Sequence, residues 1–261
     1  MLGKVLKALI VGLCLAFVSL IASANRCDNE EAKLKLGEIS WLTEDYPPFN
    51  YINGEGELVG IFTDSLALIY QTLGIELNIK KIRLLPWARL YHNLQLYPES
   101  AAFSMMKTPQ REKLFKLIDL PFKTKTSIMV LKHRKDKLIG KEYADLSIAV
   151  VRKDIGQQLL IDKNINANLV ETTSAFSMLQ LLMLERVDAI AYSEEVAHFQ
   201  SKRLNFNEKN LEPIYVLDNN AIPSYAFHNA THQCALELMK TAIDSLEKKG
   251  KFQPIWQKYT K

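Results

Sequence analysis

Phe103-Ser104-Met105-Met106-Lys107-Thr108-Pro109-Gln110-Arg111, followed by Ile118-Asp119-Leu120-Pro121-Phe122, is the stretch that decides the fold. A short apolar run bounded by Thr-Pro reads as a buried strand that ends at a turn. Pro109 suits the first position of a helical turn, because its missing N–H would be unpaired there in any case. Arg111 is therefore held just beyond a strand end, where open α/β sheets place their ligands. Arginine also grips a carboxylate through two parallel charge-assisted bonds. The same residue, with Glu112 and Lys113, equally fits a solvated helix start. The rest of the chain has to decide.

Upstream, Ile39 to Thr43 is strand-like and stops at Pro47-Pro48. Gly60 opens a helical stripe of Ile61, Phe62, Leu66, Ile69 and Leu73 that ends at Gly74. Ile75, Leu77 and Ile79 alternate as a strand, and Pro86 starts a helix carrying Trp87, Leu90, Tyr91 and Leu94. With Phe103 to Met106 this is βαβαβ, the pattern of a parallel sheet. Downstream, Thr126 to Leu131 is a strand and the pattern restarts. Strands are expected at Ser147 to Val151, Asn168 to Val170 and Val187 to Tyr192. Helices are expected at Ile155 to Ile161, from a cap at Ser174 to Glu185, and at Glu194 to Lys202. Tyr215 to Leu217 and Tyr225 to Phe227 are the runs able to carry the chain back, and helices over Thr231 to Lys249 and Phe252 to Lys258 close it. The class is α/β, with two successive α/β units.

Lys4 and Lys7 precede an apolar segment, Ala8 to Ile21, and the small-residue site Ala22-Ser23-Ala24. That order reads as a secretory signal peptide over residues 1–24 and implies a periplasmic protein. Cys14 and Cys27 lack the context of a lipoprotein cleavage box. Cleavage reduces the 33 Lys+Arg to 31 against 29 acidic residues, a net charge of +2. That near-neutrality, with no basic cluster interleaved with aromatics, excludes a nucleic-acid partner. Cleavage also leaves one cysteine pair, Cys27 and Cys234, which an oxidising compartment invites to bridge. Two unrelated thiols, with Cys234 buried as a small apolar residue, are the alternative.

The chain resembles the periplasmic solute-binding proteins of the amino-acid type, family 3, from about Ile39 to Tyr259. The resemblance is carried by Thr43-Glu44-Asp45-Tyr46-Pro47-Pro48-Phe49, Gly60-Ile61-Phe62-Thr63-Asp64 and Thr108-Pro109-Gln110-Arg111. Asp145 to Val150, Arg186-Val187-Asp188-Ala189-Ile190 and Gly250 to Trp256 continue it in the family's order and spacing. It implies two Rossmann-like lobes joined by two crossing strands, the type II binding-protein fold. Residues 25–125 and 222–261 would form one lobe and 126–221 the other. It further implies a monomer that closes on a small-molecule ligand and hands it to a membrane permease of the ABC type or to a sensor.

In that family Arg111 would hold the ligand's carboxylate, Tyr46 and Trp87 would stack on its body, and Ser104, Met106 and Thr108 would supply the strand end and turn. Arg152 and Gly156 fall where the second lobe meets the ligand, and a helix start there presents free N–H groups. The departures bear on the ammonium: Met106 stands in place of a threonine, Ser193 in place of an aspartate, and Thr43 where another acid often lies. Glu194 is the nearest substitute. The carboxylate half of an amino-acid site survives, and an acid without an α-ammonium is expected to bind better than an amino acid. Enzymes on the same fold, such as dehydratases, are the rival, but the sequence displays no carboxylate poised by burial for acid–base work. Asp188 reads as structural. His228 and His232 with Cys234 make a poor zinc set, and Gly-x-Ser-x-Gly, phosphate-loop and HExxH motifs are missing, so no cofactor is expected.

Overall fold

The computed structural model describes residues 27–260; the expected signal peptide lies outside them. The chain opens with helix α1 (Asn29–Gly37) and strand β1 (Ser40–Thr43). A small hairpin of β2 (Tyr51–Ile52) and β3 (Leu58–Val59) leads into α2 (Ile61–Leu73). Then come β4 (Arg83–Leu84), α3 (Trp87–Leu96), β5 (Ser100–Met106), α4 (Pro109–Leu114) and β6 (Phe115–Asp119). The second run holds β7 (Thr124–Leu131), α5 (Lys135–Leu138), β8 (Ser147–Val151), α6 (Ile155–Asp162) and β9 (Asn168–Thr172). It continues with α7 (Ala175–Met183), β10 (Ala189–Ser193), α8 (Glu194–Arg203) and β11 (Leu211–Ala221). The chain closes with β12 (Pro223–His228), α9 (Gln233–Lys248) and α10 (Phe252–Thr260).

Two five-stranded sheets result, in the orders β4-β1-β5-β12-β6 and β11-β7-β10-β8-β9. The parallel pattern holds at the heart of each: β1 runs parallel to β4 and β5, and β8 to β9 and β10. The remaining pairings, β12 with β5 and β6 and β7 with β10 and β11, are antiparallel. The sheets are therefore mixed, because the strands that return from the other sheet enter against the direction of the crossover units. The chain changes sheet twice, between Asp119 and Thr124 and between Ala221 and Pro223. The amides of Lys107 and Leu120 tie these crossings together by donating to the carbonyls of Ile222 (2.9 Å) and Pro223 (3.3 Å).

The first sheet is packed around Trp41. Its ring meets Phe103, Tyr225 and Phe227 edge-on at 5.4 to 5.5 Å. Its Nε1 donates to the Tyr70 hydroxyl, which donates to the Leu36 carbonyl, both at 2.8 Å. A buried indole is thus fully satisfied, which large amphipathic rings need. Leu36 belongs to α1, a helix the sequence reading did not foresee. Cys27, just ahead of that helix, is bonded to Cys234 in the first turn of α9, with Cα atoms 5.3 Å apart.

The strand expected over Ile75, Leu77 and Ile79 is not formed. Those side chains are half-buried at alternate positions, so the alternation reported one-sided burial without a partner strand. The Asn78 side chain accepts from the Lys80 amide and starts a 3₁₀ turn over Ile79–Lys81, a local bond that competes with a ladder. The pairing with β1 is made instead by Arg83 and Leu84.

Candidate functional site

The two sheets meet along a seam into which the end of β5 points. Ser104 lies at a bulge in the β5–β12 pairing with φ at 53°, a left-handed conformation rare for serine, and its hydroxyl bonds to Asn50. Two residues on, the Met106 carbonyl accepts from Arg111 Nη1 at 3.0 Å. Thr108 caps the short helix by accepting from the Arg111 amide at 3.2 Å. Turn, cap and carbonyl together aim Arg111 into the seam, where it is 1% exposed. Its guanidinium lies 5.1 Å from the Trp87 ring centre and 6.0 Å from that of Tyr91, and Nη2 reaches the Lys153 carbonyl of the second sheet's unit at 3.5 Å.

Two carboxylates share this space. Asp154 is 5% exposed at the start of α6, yet its side chain does not cap that helix, and Oδ2 has no hydrogen-bond partner. Glu44, at the end of β1, forms no ion pair among the described residues. Burial raises both carboxyls above the ordinary range, that of Glu44 strongly, and the neighbouring Arg111 offsets the shift only in part. Burial also lowers the Arg111 guanidinium, with Asp154 opposing. The Arg111 Nε and the Tyr46 hydroxyl, like Asp154 Oδ2, are buried without partners. Buried polar groups normally find partners, so the open Nε of the cation, the open oxygen of the anion and the open hydroxyl make this the candidate ligand centre.

Contacts from both sides draw the seam together. Trp87 Nε1 donates to the Lys153 carbonyl at 2.7 Å, and Gln158 Nε2 donates to Thr108 Oγ1 at 3.1 Å. At the rim, Gln200 and Arg203 of α8 donate to the Asp45 carboxylate at 3.1 and 3.0 Å. Tyr46 stacks on Phe49 and meets Tyr192 edge-on, at 5.6 Å in each case.

The residues expected in the site therefore divide. Arg111, Tyr46, Trp87, Ser104, Met106 and Thr108 gather at or beside the seam. Thr43 is buried there but its hydroxyl donates to the Glu44 carbonyl (3.4 Å), so the acid comes from the next position along. Ser193 is buried, caps α8 and donates to Glu195 at 3.0 Å, beside the Tyr46 ring. Glu194 accepts a hydrogen bond from the Ser127 hydroxyl. Arg152 is a correction: it is largely exposed and pairs with Glu171 at 2.7 Å, because the turn at Lys153 (φ 62°) sends it outward and brings Asp154 in. Gly156 also plays a different part. A Cβ there would overlap the backbone carbonyl of Ala191 in β10, so the glycine lets α6 pack hard against the sheet. Gly156→Ala is expected to lower stability by about 1–3 kcal/mol, read as a fall in the urea midpoint at constant slope. An unmoved midpoint would show that α6 can shift at no cost.

Asp188 accepts from Ser147 and pairs with Arg134 at 2.8 Å, the structural role expected of it. Cys234 is taken by its bridge and His228 contacts the Gln95 carbonyl, so neither serves a zinc set. Missed by the sequence reading were Glu44, Asp154, Tyr91 and the carbonyl of Lys153. The expectation that no carboxylate is poised by burial is overturned by Asp154, 5% exposed, with the half-buried Glu44 near it. One signal for Asp154 was present, a cap-type residue directly before a helix, but whether it caps or turns away is decided by the neighbouring unit.

Residues 40–261 match the bacterial extracellular solute-binding proteins, family 3. No functionally curated sequence matches the chain. Among solved structures, an ancestral arginine-binding protein bound to arginine is 18% identical, with a TM-score of 0.72 over 86% of this chain and 99% of its own. The substrate-binding protein of an amino acid ABC transporter is 22% identical, with a TM-score of 0.70 over 85% of this chain and 98% of its own. A histidine kinase sensor domain with similarity to periplasmic binding proteins gives 18%, 0.69, 85% and 95% in the same order. These identities speak for the type II binding-protein fold, two mixed sheets facing one seam. With the family pattern spanning both sheets, the protein belongs to the bacterial extracellular solute-binding proteins, family 3.

Proposed function

We propose that the protein is exported to the periplasm by a cleaved signal peptide at residues 1–24 and closes two lobes on one small zwitterionic solute. Residues 25–125 with 222–261 form one lobe and 126–221 the other. The loaded monomer is then read by a membrane permease or a signalling receptor, without a chemical step. The observation that carries this is the buried guanidinium of Arg111 set beside the unpaired carboxylates of Asp154 and Glu44. Arg111 takes the ligand's carboxylate, with Trp87 and Tyr46 walling the space. Asp154 and Glu44 take the ammonium, in place of the acids that are absent at Thr43 and Ser193. An acid without an ammonium, the ligand favoured by the sequence alone, would leave the buried Asp154 and the half-buried Glu44 facing a third carboxylate, which is costly.

The sign of the pH dependence follows. A carboxyl raised in the folded state holds its proton where the unfolded chain has lost it, so the folded form binds more protons there. Stability of the unliganded protein therefore falls as pH climbs from the ordinary carboxylate range through the raised values. An ammonium needs the ionised carboxylates, so its binding strengthens over the same climb, while binding of the deaminated acid weakens. Calorimetry at a pH inside the ordinary carboxylate range and at a pH well above it, with L-leucine and its deaminated analogue, tests this. The amino acid should gain affinity at the higher pH and the analogue lose it. A deaminated acid that binds more tightly at both settings would remove Asp154 and Glu44 from the ligand site.

A further inference from the structure

A cavity of about 260 Å³ lies between the two units, with Trp87 and Glu44 in its lining. Its apolar wall is built from both sides: Leu84, Leu85, Pro86 and Trp87 come from the first unit, Ala175 and Phe176 from the first turn of α7 in the second. Leu84 and Phe176 are 45% and 46% exposed, large apolar side chains at the mouth of a cleft. The polar side of the cavity is largely spoken for. Asp45 is held by Gln200 and Arg203, and the Ser174 hydroxyl accepts from the Ser177 amide to cap α7. Glu44 is the lining carboxylate without a cation partner among the described residues. The compartment thus joins an apolar surface to Glu44 and Trp87 of the charged centre, and its other ionic group, Asp45, is already paired.

We infer that this compartment receives the apolar body of the ligand whose charged head lies at Arg111, Asp154 and Glu44, so that the solute is a zwitterion with a large apolar or aromatic side chain. The inference rests on the zwitterionic reading above and deepens it. The volume lies just below the range of about 300–1,000 Å³ usual for drug-sized ligands, which suits one ring or one branched chain rather than a peptide segment. Because the walls belong to both units, an apolar body there contacts the two together and favours the closed arrangement over an open one, which is how a ligand shifts such an equilibrium. Covering Leu84 and Phe176 removes apolar area from water on both partners.

Binding of L-alanine, L-glutamine, L-leucine and L-phenylalanine to the exported full chain, measured by calorimetry, tests the compartment. Leucine and phenylalanine should bind about 10- to 100-fold more tightly than alanine, as expected for burial of one apolar side chain. Glutamine should not share the gain. Leu84→Ser and Phe176→Ser alter exposed positions and should leave the fold intact, checked by unchanged melting, while narrowing the phenylalanine-to-alanine ratio by at least about threefold each. Equal affinity for all four amino acids, or a ratio untouched by both substitutions, overturns the compartment and leaves the head-group reading standing. No binding by any of the four overturns the zwitterionic reading, and the compartment falls with it.

Discussion

Replacing Arg111 by lysine is expected to weaken ligand binding by about 30- to 5000-fold, the effect of about 2–5 kcal/mol lost when one partner of a buried charged hydrogen bond is removed. The charge is retained, so the loss measures geometry. Arg111 Nη1 is tied back to the Met106 carbonyl and the plane lies against Trp87, which orients the remaining N–H groups toward the seam. An ammonium on a flexible stem reproduces neither the fork nor the stacked plane. A drop in melting temperature is expected as well, because the Met106 carbonyl loses its Arg111 donor and the Lys153 carbonyl keeps only Trp87 Nε1. The two effects are separated by calorimetry below the melting range, where both proteins are folded. A dissociation constant unchanged by the substitution would reduce Arg111 to a structural tie between the units.

Loss of the Cys27–Cys234 bridge is the second large effect expected. The bridge spans 207 residues, and closing a loop of that length stabilises the folded chain by about 5 kcal/mol in the chain-entropy account, less any strain. For a chain of this size that is about 10–20 °C in melting temperature. The bond joins the start of the chain to α9, so it pins α1 and its Leu36 carbonyl, the last acceptor in the chain from Trp41 through Tyr70. Cys27→Ser with Cys234→Ser, compared with the oxidised protein, should show the shift, and reductant should reproduce it in the unsubstituted chain. Thiol titration of the unreduced, denatured protein should find no free thiol among the described cysteines. Two free thiols, or a double variant that melts with the parent, would remove the bridge from the account.

The sequence carried the order of the fold well where burial and periodicity agree. The helices at Ile61–Leu73, Trp87–Leu96 and Gln233–Lys248 were legible because each buries one face in its local period, and the strands around Trp41, Phe103 and Ile148 because each is a short apolar run buried on both faces. The segment at Ile75–Ile79 shows the limit, since alternate burial is common to a paired strand and to extended chain lying on a core. Helix α1 was invisible for the opposite reason: only Ala32 and Leu36 are buried on it, so its apolar stripe is too thin to register, and the bridge and α9 hold it in place.

At the site, the sequence by itself determined the position of Arg111, because a strand, a threonine cap and Pro109 fix where that side chain leaves the backbone within nine residues. Tyr46 and Trp87 came in only through the family resemblance, because an aromatic residue on an apolar stripe reads equally as core. Which carboxylates face Arg111 was decided only by the tertiary structure. Glu44 and Thr43 differ by one step on a strand, and a single step exchanges the faces. Arg152 and Asp154 differ by the direction of one turn at Lys153, where a left-handed backbone sends the cation to solvent and the acid inward. Those choices depend on how two units laid down far apart in sequence come to share one seam. Local propensity carries no record of a charge supplied from the other side.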